Sequence, residues 1–359
     1  MVKKDFWKNR RVLVTGHTGF KGAWLSLWLN SMGAEVIGFS LPAPTNPSLY
    51  ELAGIKVGIN SIIGDIRDFD YLKKTILAYK PEIVFHLAAQ SLVRRSYQEP
   101  IETYSTNIMG TVNLFEALRQ NNRLRAIINV TSDKCYENNE WIWGYRENDP
   151  MGGYDPYSSS KGCAELITSA YRQSFFNPEH YSDHGVALAS VRAGNVIGGG
   201  DFAEDRLIPD MVRAFIEKDP VKIRYPEATR PWQHVLEPLA GYLLLGRKLY
   251  EHGQRFIGPW NFGPNDTDAK SVRWIVDKFA EYWGDGAIWD AEKEVQPHEA
   301  FFLRLDCSKA KSLLGWTPRM DINTALKWTS EWYKIYKNSP QSVKEITLKQ
   351  ISEYNEILG

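Results

Sequence analysis

The chain has 359 residues, room for one large domain or about two of ordinary size. Its 43 Lys+Arg balance 43 Asp+Glu, which argues against a generally basic nucleic-acid binder, and 43% hydrophobic residues suffice for a packed core. Cys135, Cys163 and Cys307 are too few and too scattered for a disulfide framework or a zinc cluster, so no metal is expected. No apolar run nears the roughly 18 residues of a membrane span, and the charged N-terminus lacks a signal peptide's apolar core; a cytoplasmic protein without membrane or nucleic-acid partners is expected. The one excess is aromatic: 13 Trp, 18 Tyr and 15 Phe, read first as core packing and second as stacking on a ring-bearing ligand.

In chain order, 11–15 is a short apolar run ending at Gly16, and 23–29 follows as a buried helix. Strand candidates recur at 34–39, 57–63 and 82–89, the last almost wholly apolar and so buried on both faces. A helix pattern with Ile108, Val112, Phe115 and Leu118 comes next, then a strand at 126–130, a helix at about 156–176 and a strand at 186–191. This alternation predicts an α/β fold, a Rossmann-type doubly wound parallel sheet with helices on both faces. Beyond Gly194 the regularity weakens, and 201–231 and 264–359 carry helix patterns broken by Pro and Gly. Within them 324–336 is amphipathic with mixed charge, and Trp328 and Trp332 at i, i+4 are expected to pack on the body.

Gly16-His17-Thr18-Gly19-Phe20-Lys21-Gly22 stands between the first strand and the first helix, where a dinucleotide-binding turn belongs. Glycines allow the tight turn and let a pyrophosphate approach the positive end of a helix. The spacing is G-x-x-G-x-x-G, and a purely structural turn is the alternative. An acid at the end of the second strand would grip the adenosine ribose of NAD and repel a 2′-phosphate; Phe39-Ser40-Leu41 stands there instead. NAD and NADP both stay open on this ground, with His17 and Lys21 near. Asp65 and Ile66, after the third strand, are candidates to flank the adenine, a helix-capping Asp being the alternative. The expected division is therefore a dinucleotide-binding domain of 1–195 plus about 232–263, and a smaller, mostly C-terminal substrate domain of about 196–231 and 264–359.

Tyr157 and Lys161 lie four apart, on one helix face. Free tyrosine ionises near pH 10; a neighbouring ammonium and an oxidised nicotinamide ring would bring the phenolate into working range. Together with the glycine turn, His86-Leu-Ala-Ala-Gln90, Asn107-Ile-Met-Gly-Thr111 and Thr131-Ser-Asp-Lys134, this pair resembles the extended short-chain dehydrogenase/reductase superfamily over nearly the whole chain. The resemblance implies NAD as cofactor, Tyr157 as base, Lys161 on the nicotinamide ribose and Ser132 on the reacting hydroxyl. It puts Ala88, Ala89 and Gln90 along the nicotinamide half, with Asn107 nearby.

Within that superfamily, 4-epimerases of nucleotide sugars usually carry hydrophobic or small residues after the Ser/Thr, whereas 4,6-dehydratases carry an acid, commonly Thr-Asp-Glu. Asp133 matches the acid and Lys134 departs from the glutamate. The stretches 132–136, 147–157, 192–201 and 230–234 are similar to the dehydratase branch that acts on CDP-D-glucose, a lyase step towards the dideoxyhexoses of bacterial O-antigen. That branch implies Asp133 as the acid at C6, Lys134 as the C5 base or a cation on the enolate, and an exchangeable cofactor. It also implies a homodimer or homotetramer paired through the Tyr157 helix. Asn195 is expected at the substrate phosphates. Arg192, Arg206 and Arg230 are pyrophosphate candidates because a guanidinium fork matches phosphate oxygens, with structural ion pairs as the alternative. A 4-epimerase and a dinucleotide-sensing regulator are the competing readings; the intact Ser132, Tyr157 and Lys161 argue against the sensor.

Overall fold

The computed structural model describes residues 2–284, 286–291 and 302–359; residues 285 and 292–301, in the expected substrate domain, lie outside the described residues. Seven strands form the main sheet: β1 (Arg11–Thr15), β2 (Glu35–Ser40), β3 (Asn60–Ile63), β4 (Ile83–His86), β5 (Ala126–Val130), β6 (Ala187–Ala193) and β7 (Gly258–Phe262). Their order is β7-β6-β5-β4-β1-β2-β3, and every neighbouring pair is parallel.

Successive side chains of each strand feed two separate cores. Val12, Val14, Phe85 and Ile128 enter one, together with helix α1 (Phe20–Ser31). Leu13, Val84, Ile127 and Leu188 enter the other, under α2 (Phe69–Tyr79), α3 (Gly110–Leu118) and α4 (Pro156–Ser174). A sheet covered on both faces makes its strands read as unbroken apolar runs. The strand order reverses between β1 and β4, and Thr15 stands opposite Phe39 on one side and His86 on the other. At such a reversal the connecting helices diverge and leave a crevice beyond the strand ends.

Two boundaries differ from expectation for visible reasons. The third strand starts at Asn60, because Ile55–Gly58 closes a 3₁₀ turn. The fourth stops at His86, opposite Thr15, the last residue of β1, whose hydroxyl then accepts the amides of Leu87 and Ala88 (both 3.2 Å). Beyond Gly194, where periodicity weakened, α5 (Leu236–His252) and β7 extend the sheet. α5 is buried along nearly its whole length, which erases the amphipathic signature by which a surface helix is found.

Short strand pairs tie the remaining segments together: Thr229–Pro231 with Ala269–Ser271, and Val221–Ile223 with Trp289–Ala291. Aromatic side chains join these segments to the sheet domain. Helix α6 (Ile322–Asn338) seats Trp332 directly on the 198–200 glycine run; a Cβ at Gly199 would stand 2.0 Å from its ring. Trp24 of α1 clamps the same turn by donating to the Gly199 carbonyl at 2.9 Å. Among the described residues no helix is long and apolar enough to cross a membrane.

Candidate active site

The glycine turn packs against the end of β4. Gly16 has φ +75°, and a Cβ there would stand 2.7 Å from the Ala88 amide nitrogen. At Gly22 a Cβ would meet the Gly16 carbonyl oxygen at 2.0 Å, so only glycine lets α1 begin this close to β1. Gly19 caps α1 with no side-chain hydrogen bond, which leaves the first-turn amides and the positive helix end facing the crevice. Phe20 points towards Gly198 across the crevice, while Ala88 and Ala89 line it half-buried.

Two cofactor-side expectations need correction. His17 does not project into the crevice: it is fully buried against β2 and β3, with Nε2 2.7 Å from the Ser61 hydroxyl and its ring edge-on to Tyr50. Burial pushes its pKa down to about 4, so it offers a phosphate no charge near neutral pH. Gln90 turns inward as well, its side-chain amide donating to Leu92 O (3.0 Å) and Thr103 Oγ1 (2.9 Å). Its backbone is clasped by Asn107, which accepts from the Gln90 amide (2.8 Å) and donates to the Gln90 carbonyl (3.0 Å) and Ser160 Oγ (2.8 Å). Asn107 can reach both because Ser105–Met109 forms one π turn before α3. Asp65 is engaged by Arg67 (2.5 Å) and Ile66 is buried against Gly110.

The chemistry-bearing residues do come together. Ser132 follows β5 and caps the turn Asp133–Cys135, its hydroxyl donating to Asp133 Oδ1 at 3.0 Å and accepting the Lys134 amide at 3.2 Å. Asp155 caps α4 by accepting the Ser158 amide at 2.9 Å, which fixes the first helical turn where Tyr157 stands. One turn further on, the Lys161 ammonium lies 6.0 Å from the Tyr157 ring centre and donates to the Val130 carbonyl at 3.4 Å. Ser132 meets Tyr157 from the strand side.

Burial biases each of these groups towards its uncharged form. Burial raises the pKa of Asp133 against the opposing pull of Lys134, Ser132 and Lys21, so this carboxyl is biased towards its protonated form. Burial lowers Lys161 and Lys21 to about 8 each. It also pushes Tyr157 up to about 12, so the neighbouring ammonium alone does not bring the phenolate into working range. Lys21 is half-buried and donates no hydrogen bond to any described residue.

The arginines separate. Arg206 reaches across the crevice, donating to Asp201 at 2.8 Å and to the Ser91 hydroxyl at 3.1 Å, and it lies close enough to feel the Tyr157 hydroxyl. Arg230 is buried on the strand Thr229–Pro231, and the Asn195 carbonyl accepts the Gln233 amide at 3.0 Å. Arg192 is the clear correction. It is 2% exposed and wholly used by Glu165, Tyr136 and the Glu147 carbonyl, so no fork is left for a pyrophosphate. Sequence reasoning passed over Glu165 itself, although its place four residues after Lys161 puts it on the same helix face. Ser91, which holds Arg206 from 115 residues away, had no such signal, whereas Asp201 stands only five residues before it.

Comparison with known proteins agrees with this geometry. The family model described as GDP-mannose 4,6 dehydratase matches residues 13–254. A CDP-glucose 4,6-dehydratase of Salmonella typhimurium is 58% identical over 99% of this chain and 98% of its own length. The solved structure of MoeE5 in complex with UDP-glucuronic acid and NAD, 25% identical, gives a TM-score of 0.75 over 90% of this chain and 99% of that one. The DesIV double mutant from Streptomyces venezuelae, a dTDP-glucose 4,6-dehydratase with NAD and DAU bound, gives 0.78 over 91% and 98%; at 21% identity that likeness is one of fold. With more than half the chain inside the family model and a near full-length relative at 58% identity, the chain belongs to the GDP-mannose 4,6 dehydratase family.

Proposed function

We propose that the protein is a hydro-lyase that converts CDP-D-glucose to CDP-4-keto-6-deoxy-D-glucose and water with NAD as cofactor. The observation that carries this is the buried Asp133, hydrogen-bonded to Ser132 in the turn that meets Tyr157. A 4-epimerase has no step that needs such an acid. CDP as the nucleotide is supported by the 58% identity to the Salmonella enzyme of that name. The uncapped start of α1, the open Lys21 and the half-buried Ala88 and Ala89 suit a dinucleotide, with its pyrophosphate on the helix end and Lys161 at the ribose of the nicotinamide half. When bound, NAD supplies a hydride acceptor for C4 of the hexose and a donor for C6.

In this reading Ser132 holds the C4 hydroxyl and Tyr157 takes its proton, giving the 4-ketone. The ketone acidifies the C5 hydrogen, which Lys134 removes as a base, standing afterwards as a cation beside the enolate. Asp133 gives its proton to the C6 hydroxyl, which departs as water. Redox change sums to zero. Residues 196–231 and 264–359 serve as the substrate lobe, with Asn195, Arg206 and Arg230 towards the diphosphate. We place the enzyme in the bacterial cytoplasm, on the route to the dideoxyhexoses of O-antigen. A homodimer or homotetramer is supported by exposed apolar residues on neighbouring helices, Ile101, Met109 and Leu166.

The test is incubation with NAD and CDP-, UDP-, GDP- and dTDP-glucose in D2O, with products identified by mass. Loss of water with deuterium at C5, from the CDP sugar first, is the expected result. An isomeric hexose would make it an epimerase, and inertness towards all four would favour the sensor.

A further inference from the structure

Helix α4 presents Tyr157, Lys161 and Glu165 at i, i+4 and i+8, on one stripe. Glu165 is 5% exposed and accepts from Thr131 Oγ1 (2.5 Å), Ser190 Oγ (2.6 Å) and both Nε and Nη2 of Arg192 (2.9 Å each). Arg192 spends its remaining nitrogen on the Tyr136 hydroxyl (2.5 Å) and the Glu147 carbonyl (3.0 Å), and Tyr136 donates onward to Asn261 Oδ1 (2.8 Å). Thr131 and Tyr136 are the residues on either side of 132–135. Both ends of the turn that carries Ser132, Asp133 and Lys134 are therefore tied to one buried ion pair, and Glu165 ties that pair to the helix of Tyr157.

We propose that Glu165 and Arg192 are positioning residues for the reaction, setting the spacing of α4 against the 132–135 turn so that Ser132 and Tyr157 share one hydroxyl while Asp133 and Lys134 face the next two carbons. The proposal rests on the dehydratase reading above. Neither side chain touches the crevice; they act through Thr131 and Tyr136. Stability alone does not explain the pair, because a buried ion pair is on average no more stabilising than apolar side chains of the same volume. What apolar side chains could not supply is direction, here a forked guanidinium against a carboxylate whose remaining lone pairs hold two hydroxyls.

The decisive variants are E165M/R192M, which removes both charges together, and Tyr136→Phe, which removes one hydroxyl. The double variant is expected to melt cooperatively near the parent temperature. Its kcat should fall by about 10²-fold, the cost of a misplaced catalytic group, while KM for the nucleotide sugar changes by less than about threefold. Tyr136→Phe should lose roughly tenfold in kcat with the same KM pattern. Arg192→Lys, which keeps the charge and loses the fork, should lie between the double variant and the parent. A double variant that melts like the parent and turns over like it overturns the proposal. If the double variant does not fold, Tyr136→Phe decides alone, unchanged kcat again overturning it. A wild-type protein that dehydrates none of the four sugars overturns the dehydratase reading, and this proposal with it.

Discussion

Two cations are buried beside the C-terminal ends of β5 and β6, and they are housed in opposite ways. Arg192 is met by a carboxylate, a tyrosine hydroxyl and a carbonyl; burial disfavours its charge, but Glu165 more than compensates and its pKa ends up raised. Lys161 reaches one carbonyl at 3.4 Å, and among the described residues no carboxylate stands within ion-pair distance of it. Burial wins there, and its pKa drops to about 8. A buried charge answered by the fold belongs to the framework. One left unanswered lowers stability, and such groups cluster at functional sites, which accords with the role proposed for Lys161 beside Tyr157.

The contrast can be broken, beginning with the largest effect. Tyr157→Phe leaves Lys161 with no phenolate to stabilise, and turnover should fall on the order of 10²- to 10⁴-fold, with no reduced cofactor formed on adding substrate. Reduction at the wild-type rate, followed at 340 nm, would remove Tyr157 from the first step.

Next come parallel truncations of the two cations. Arg192→Met strands the Glu165 carboxylate in the core and should cost about 3–5 kcal/mol by denaturant unfolding. Lys161→Met removes a charge the fold does not answer, so it should leave stability level or improved while turnover collapses. Its gain has a pH signature. The folded pKa of about 8 lies below the ordinary 10.5, so the unfolded chain holds more protons between those values and the burial penalty fades as pH rises through them. The advantage of Lys161→Met should therefore be larger at pH 7 than at pH 10. Equal losses of stability in the two variants would erase the distinction between framework and ligand-facing charge.

The smallest effect concerns the cofactor. Lys161 and Lys21 both lose their protons near pH 8, and each loss removes attraction for an anionic dinucleotide. Affinity for NAD, read from quenching of tryptophan fluorescence, should weaken by roughly tenfold between pH 7 and pH 9. A flat profile would mean that neither ammonium faces the bound cofactor.

The same contrast explains what could be read in advance. The juxtaposition of Lys161 with Tyr157 was legible because it depends on a local spacing of four residues, and helices enforce that spacing whatever surrounds them. The fate of Arg192 was not. Phosphate ligand and buried ion pair call for the same residue, and only the approach of α4 to β6 places Glu165 within 2.9 Å of it. His17 misled for a related reason: a cationic side chain in a phosphate-binding turn invites a role in charge recognition, yet the absence of a Cβ at Gly38 lets its ring lie flat against β2 and lose its charge.

By itself the sequence determined the alternation of strands and helices, the glycine turn and the Ser132, Tyr157 and Lys161 set. Each is a matter of short-range periodicity or of residues with distinctive conformational freedom. The tertiary structure decided where β4 ends, how α5 and β7 complete the sheet, and which of the buried polar groups are answered. Those outcomes depend on partners tens to hundreds of residues away, such as Thr15 with Leu87 or Tyr136 with Asn261, whose contacts leave no trace in local spacing. Burial then shifts Asp133 up and Lys161 down, because the desolvation that moves them comes from the assembled core.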